Sequence, residues 1–299
     1  MQPGDIGVIV NPNAAGGRGV KSIPGVTAAL SGIGAPFSLV TTTGPGHATR
    51  LAAEMADAGA ERIIAVGGDG TFNEVANGLM SSNRPIPMGI VPTGTGCDLP
   101  RTLRLPNASL KESTVFAATA GPRIIDLGKA RCDSGAERYF LNVAGLGFDA
   151  TVAERVTRTK LPSAKVSYLA ATAISLVNYR NIPVTVVADG VRIDNRAVFV
   201  TIANARFFGG GFNITPMADI SDGLLDLAII GDLGMFELLT NIPSVYRGRH
   251  TNHRKFTHIP VKHVRITSES TALVQVDGEI LGSAPVEFSV QPSAFAVIA

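Results

Sequence analysis

Cysteine is scarce in this 299-residue chain, with only Cys97 and Cys132, and tryptophan is absent. Two thiols without metal-site spacing make no zinc ligand set and are too few for a disulfide framework, so the chain reads as one for a reducing cytoplasm. Net charge is only +2 and no Lys/Arg run exceeds two residues, so composition gives no footprint for nucleic acid. A weakly basic surface of this kind can still visit an anionic membrane. Long apolar runs are also missing. Met1-Gln2-Pro3-Gly4-Asp5 leads straight into a short strand rather than a secretory leader, and the best spanning candidate, Val166 to Val177, is too short and is broken by Ser167, Thr172 and Ser175. No G-x-x-x-x-G-K-S/T loop occurs, and no serine stands in a nucleophile elbow, which removes the common phosphate loop and covalent hydrolase chemistry.

Apolar residues and glycine are plentiful: 45% of the chain is hydrophobic and 33 residues are glycine. The length allows two ordinary domains. In the first, Ile6 to Val10, Phe37 to Thr41, Ile63 to Val66 and Met88 to Val91 read as buried strands, each ending in a small-residue loop. Those loops are Asn11 to Gly19, Thr42 to His47, Gly67 to Thr71 and Pro92 to Asp98. Helices are expected over Val20 to Leu30, Ala48 to Ala58 and from Phe72, where Phe72, Val75, Ala76, Leu79 and Met80 share one face and Thr71 takes the N-cap position. Strands alternating with helices predict an open parallel α/β sheet with its site at the carboxyl ends of the strands.

From about Ile124 short β-branched runs separated by turns take over, predicting an antiparallel β-sandwich domain. Its expected strands include Tyr139 to Val143, Ala197 to Ala203, Leu224 to Ile230, Ala272 to Val276 and Val286 to Val290. Helical insertions are expected over Ala164 to Tyr179 and Gly234 to Val245.

The stretch Gly67-Gly68-Asp69-Gly70-Thr71 holds the main chemical signal. A strand running through glycines into a helix aims bare N–H groups at an anion, while the carboxylate of Asp69 suits a metal ion or a sugar hydroxyl. Gly145-Leu146-Gly147-Phe148-Asp149-Ala150 matches a dinucleotide pattern but lacks a surrounding βαβ unit, so tight packing is the better reading. Asp-Gly at Asp189-Gly190 and Asp277-Gly278 signals hairpins. Glu279 places a second carboxylate beside Asp277. Asp219 to Asp226 packs three carboxylates into eight residues, as a solvated turn or a hard-cation site. His47 reads as a capping residue at a helix start. Arg247, Arg249, Arg254 and Lys255 form a basic, histidine-dotted loop, a solvated face with anionic headgroup binding as the sharper option.

Taken in order, the Asn11-Pro12 loop, Gly67 to Thr71, Pro92 to Asp98, Ile125 to Gly128, Asn142 to Asp149, Gly209 to Asp226 and Asp277 to Glu279 resemble the diacylglycerol kinase catalytic-domain family, end to end. That family includes bacterial lipid kinases and the sphingosine and ceramide kinases. The resemblance implies an N-terminal α/β domain of the NAD kinase and diacylglycerol kinase type over residues 1–127, with a terminal strand near 289–299 returning to it. A β-rich lipid-substrate domain would cover 128–288. It implies ATP held by Asn11, Pro12, Gly16, Thr42, Gly67, Gly68, Gly70, Thr71, Asn73, Gly94 and Thr95, and Mg²⁺ acting on the phosphates through Asp69. Asp277 or Glu279 would take the proton from a lipid hydroxyl. A further cation would be held by Asp222 and the carbonyls of Asp219 and Leu224. The implied activity is ATP-dependent phosphorylation of diacylglycerol or a related lipid with a free hydroxyl, in phospholipid metabolism. The enzyme would be cytoplasmic and peripheral to the membrane, without nucleic acid, and an edge strand could pair two chains into a homodimer. Cys97-Asp98-Leu99-Pro100 departs from the family's usual Asn-Asp followed by an aromatic and a small residue. A kinase for a soluble acceptor such as NAD shares the Gly-Gly-Asp-Gly motif, and a catalytically inactive lipid- or nucleotide-binding regulator is the reading from another class. The Asp277 segment and the Pro92 loop favour the lipid branch over the first, and the intact carboxylates argue against the second.

Overall fold

The computed structural model describes residues 5–94, 96–147 and 181–299. The expected helix Ala164 to Tyr179, the apolar stretch from Val166, and Phe148 to Ala150 lie outside the described residues. The chain divides into two compact units, Met1–Ile125 with Ser293–Ala299, and Asp126–Pro292.

In the first unit, strands β1 (Ile6–Val10), β2 (Phe37–Thr41), β3 (Arg62–Gly67) and β4 (Met88–Pro92) alternate with helices α1 (Ala14–Gly32), α2 (His47–Asp57) and α3 (Asp69–Ser81), followed by α4 (Asp98–Thr102) and α5 (Leu110–Thr119). The strands are parallel in the order β2-β1-β3-β4. The apolar runs of β1, β3 and β4 are buried on both faces, as a doubly covered parallel sheet requires, while the edge strand β2 is half-buried. Val8, Val10, Ile64, Val66 and Val91 pack with Val26, Leu30 and Ala117 from α1 and α5. Helices α2 and α3 pack on each other and on β1 and β3. The connection after β1 therefore leads to a different helix layer from the connection after β3, which makes their carboxyl ends a topological switch point, where open α/β sheets bind ligands.

Two local expectations change. Helix α3 starts at Asp69 with Gly68 as its N-cap, so Thr71 lies buried within the first turn, and Asn73 is buried as well. The reason is tertiary: the Thr71 hydroxyl accepts from Asn11 Nδ2 at 3.0 Å. Helix α1 begins before Val20, but Ala15, Gly16 and Gly17 adopt left-handed φ values of 51°, 69° and 91°, so its first residues form a turn. The α2–α3 contact depends on Gly78, where an added Cβ would sit 2.1 Å from the Thr49 carbonyl oxygen and 2.8 Å from Ala52 Cβ. Gly78→Ala is expected to cost about 2–3 kcal/mol in urea denaturation, because two packed backbones must part.

The second unit contains β5 (Pro122–Cys132, from Asp126 on), β6 (Glu137–Phe140), β7 (Val143–Gly147), β8 (Ile182–Ala188), β9 (Val191–Ala197), β10 (Phe199–Ala203), β11 (Phe207–Phe208), β12 (Phe212–Asn213) and β13 (Leu225–Ile230). Then come α6 (Met235–Tyr246), β14 (Phe256–Val261), β15 (His263–Ser268), β16 (Leu273–Val276), β17 (Glu279–Ser283) and β18 (Val286–Ile298). An antiparallel sheet β14-β13-β10-β7-β16-β17 forms one layer. Strands β9, β8, β15 and the first part of β18 form the other. Leu146, Val200, Leu227 and Val274 of one layer meet Val186, Val264, Ile266 and Phe288 of the other in one core. Strand β18 runs on past Val290, and Val297 pairs parallel with Met88 inside the first unit. The expected strand Tyr139 to Val143 is split into β6 and β7, because the N–H groups of Leu141 and Asn142 turn to the carboxylate of Asp277 instead of a ladder.

Candidate active site

The loops after β1 and β3 are joined at the switch point. Asn11 N donates to the Val66 carbonyl at 3.0 Å, Thr93 N donates to the Gly67 carbonyl at 3.0 Å, and the Asn11 amide reaches Thr71. Thr42 follows β2 and donates its N–H to the Val10 carbonyl at 2.9 Å. Asn11, Pro12, Gly16, Thr42, Gly67, Gly68, Gly70, Thr71, Asn73 and Gly94 thus all belong to the first unit, while Thr95 lies outside the described residues. Space above Gly16, Gly17 and Gly68 is open, with nothing within 4 Å of an added Cβ. A helix N-terminus beneath open space fits phosphate oxygens. The start of α2 is different, since Gly46 N and Ala48 N both donate to Glu74 at 3.0 Å. His47 caps that turn by accepting from Thr43 N at 3.0 Å.

Asp69 ties the Pro92 to Asp98 loop to its own, Gly67 to Thr71. Its carboxylate accepts from Asp98 N at 3.0 and 2.9 Å and from Leu99 N at 3.0 Å, and so caps α4. Burial pushes its pKa up to about 6; the Leu99 and Asp98 N–H groups oppose this, and the neighbouring Asp98 carboxylate adds to it. The Asp98 carboxylate is itself paired with Arg101 at 2.5 Å, so Asp69 is the carboxylate here that fits a hard divalent cation. Cys97 fills the place where an asparagine is usual. Its thiol points to the Gly67 and Gly94 carbonyls at 3.9 and 3.8 Å and is pushed up to about 12, chiefly by burial, which leaves it unreactive. A cavity of about 820 Å³ beside this loop is lined by Ile90, Pro92, Gly94, Cys97, Arg101 and Phe116 among others, and of the expected nucleotide residues among the described ones it touches only Gly94.

In the second unit, Asp277 and Gly278 have φ values of 47° and 87°, the type I′ pair that joins β16 to β17. Asp277 accepts from the N–H groups of Leu141, Asn142 and Val143 at 2.9, 3.0 and 2.9 Å. Asp189-Gly190 repeats the arrangement, with φ values of 45° and 87° and its carboxylate on the N–H groups of Lys262 and His263 at 3.0 and 2.8 Å. Glu279 is half-exposed and pairs with Arg138 at 2.6 Å.

At the acidic turn, Asp222 accepts from Leu224 N at 2.9 Å and Asp219 accepts from Ser221 N at 3.0 Å. Burial raises the Asp222 pKa, the Leu224 N–H opposes it, and the carboxylates of Asp226, Asp219 and Asp126 raise it further. Such crowding fits a cation. Among the described residues no three His, Cys, Asp or Glu side chains form a metal-ligand set, and the expected site differs in kind, using one carboxylate and two carbonyls. The sequence motifs assign no separate role to Asp98, Asp126, Glu74 or Arg138. Asp126 is buried and accepts from Gly223 N at 2.7 Å. Its signal was the Ile125 to Gly128 segment, whereas Glu74 and Arg138 carry none.

Residues 5–130 match the diacylglycerol kinase catalytic domain, and residues 142–299 match the YegS C-terminal NAD kinase beta sandwich-like domain. A diacylglycerol kinase of Mycobacterium tuberculosis is 30% identical over 296 residues, covering 99% of this chain and 95% of that protein. A diacylglycerol kinase of Bacillus subtilis is 28% identical, covering 94% and 91%. The crystal structure of a candidate diacylglycerol kinase from Bacillus anthracis superimposes with a TM-score of 0.83 at 25% identity, covering 100% of this chain and 96% of that one. An α/β unit with glycine loops at its switch point, followed by a β-sandwich, is the architecture of a two-domain kinase. The chain belongs to the diacylglycerol kinase family, a family of lipid kinases.

Proposed function

We propose that this chain transfers the γ-phosphate of ATP to the hydroxyl of diacylglycerol or a closely related lipid. The observation that carries this reading is the joining of three glycine loops in the first unit, by Asn11 to Thr71 and by Asp69 to Asp98 and Leu99. The open space above Gly16, Gly17 and Gly68 receives phosphate oxygens, and Asp69 receives Mg²⁺. A bound divalent cation neutralises phosphate charge, the main requirement of phosphoryl transfer besides positioning. The chain's own residues hold the phosphates against α3 and take the acceptor proton. Asp277 or Glu279 performs the second task, and Asp222 with the carbonyls of Asp219 and Leu224 holds a further cation that orders the turn. The protein works at a membrane surface, where its acceptor resides. Incubation with labelled ATP, Mg²⁺ and separate samples of diacylglycerol, sphingosine and NAD tests this. Label is expected in phosphatidic acid. Label in sphingosine instead would move the acceptor to another lipid, label in NAD would transfer the assignment to a soluble acceptor, and label in none of the three would remove the kinase reading.

A further inference from the structure

The basic loop that follows α6 is joined to an aromatic face of the second unit that the proposed chemistry does not use. Strands β11 and β12 form a short hairpin whose tip, Gly209-Gly210-Gly211, has φ values of 62°, 84° and 118°, a run that favours glycine. Its register sets Phe208 directly opposite Phe212, with ring centroids 5.8 Å apart. Tyr246, at the end of α6, stacks on Phe212 at 4.2 Å and yet is 48% exposed, and Met217 nearby is 41% exposed. The chain leaves this row of rings directly into Arg247 and Arg249. Gly248 between them is pressed against Pro216 and Asn213, where an added Cβ would come within 2.7 and 2.8 Å, and His250 donates to the Ile214 carbonyl at 2.9 Å. These contacts fix the backbone of the loop that carries both arginines.

Arg247 and Arg249 are exposed, and neither has an ion pair among the described residues. The nearby acids do not neutralise them. Glu237 is taken by Lys255 at 2.9 Å and His253 at 3.2 Å, while Asp219 and Asp222 turn back on Ser221 and Leu224. An exposed tyrosine over half-buried phenylalanines suits the headgroup layer of a bilayer, and unpaired guanidinium groups suit anionic lipid. A soluble protein partner accounts for the rings but not for two cations left without a counter-charge.

The geometry points to a membrane-docking face made of Phe208, Phe212, Met217 and Tyr246 with Arg247 and Arg249, whose partner is an anionic phospholipid surface. Its purpose rests on the lipid-kinase reading, since a lipid acceptor must be reached from a bilayer, but its observations do not. Co-sedimentation with phosphatidylserine/phosphatidylcholine vesicles, compared with phosphatidylcholine alone, tests it. Neither vesicle contains diacylglycerol and no ATP is added, so the outcome is independent of catalysis. The intact chain is expected to bind the anionic vesicles more tightly and to release as salt rises. Each arginine near an anionic surface strengthens binding about fivefold, so R247A/R249A loses about 30-fold. Tyr246→Ser is expected to weaken binding to both vesicles while leaving salt-induced release in place. Both variants alter exposed side chains, and circular dichroism checks that their folds match the original. On a short-chain diacylglycerol in solution R247A/R249A keeps full turnover, so loss of the kinase reading and loss of the docking face are read separately. Binding of R247A/R249A equal to that of the intact chain overturns the proposal. So does an intact chain that stays in the supernatant, which would assign the face to a protein partner or a second copy.

Discussion

Asp69→Ala is expected to abolish phosphoryl transfer, with a fall in kcat of about a thousandfold or more, the scale on which removal of a charge-stabilising group acts. The same change should cost only about 1–2 kcal/mol of stability, because its structural task is to cap the short helix α4 through the N–H groups of Asp98 and Leu99. Thermal unfolding and initial rates on one preparation separate the two effects. A variant with near-normal turnover would leave Asp69 as a cap and nothing more. Asp69→Asn adds a pH test in the absence of nucleotide and cation. The carboxyl pKa rises from 3.8 to about 6 on folding, so the contribution of its protonation to stability is present below about pH 4 and is lost as pH rises through about 6. The difference in unfolding free energy between the original chain and Asp69→Asn should therefore shrink across that interval. A difference that is flat in pH would show that Asp69 is already ionised at the low end.

Asp277→Asn and Glu279→Gln, made separately, are expected to divide structure from catalysis. Asp277→Asn places an amide NH₂ against at least one of three backbone donors, those of Leu141, Asn142 and Val143, and should cost about 1–3 kcal/mol. Asp189→Asn is the matched control, since Asp189 sits in an equivalent hairpin and accepts from Lys262 and His263. Its stability loss should be similar and its turnover unchanged. Glu279→Gln gives up a half-exposed pair with Arg138, worth less than about 1 kcal/mol, so its fold should be intact. Whichever of Asp277 and Glu279 is the general base should lower kcat by about 10²–10⁴ while the KM for ATP holds. If both variants turn over at the original rate, the segment is a hairpin with a clamp and no proton acceptor.

Much of this was legible residue by residue. Apolar runs such as Ile6–Val10 and Ile63 to Val66 could only be buried strands, and their small-residue endings placed the loops that meet at the switch point. Asp189-Gly190 and Asp277-Gly278 specified hairpins because their backbone conformation is a property of two residues. The family resemblance rested on the order of such local motifs. Partners were not legible. Thr71 looked like an N-cap, yet Asn11 takes its hydroxyl from sixty residues away and the helix starts at Asp69. Tyr139 to Val143 looked like one strand, yet Asp277 breaks it from more than 130 residues away.

The aromatic face shows the same division. Gly209 to Gly211 and the arginines of the α6 loop were visible as separate signals, but only packing of Tyr246 on Phe212 and of Gly248 on Pro216 makes them one surface. By itself, then, the sequence determined strands, turns, two domains and the family, because each follows from short-range backbone preference and hydrophobic pattern. The tertiary structure decided what Asp69, Asp189 and Asp277 face, because a carboxylate takes its function from neighbours that only folding brings within about 3 Å.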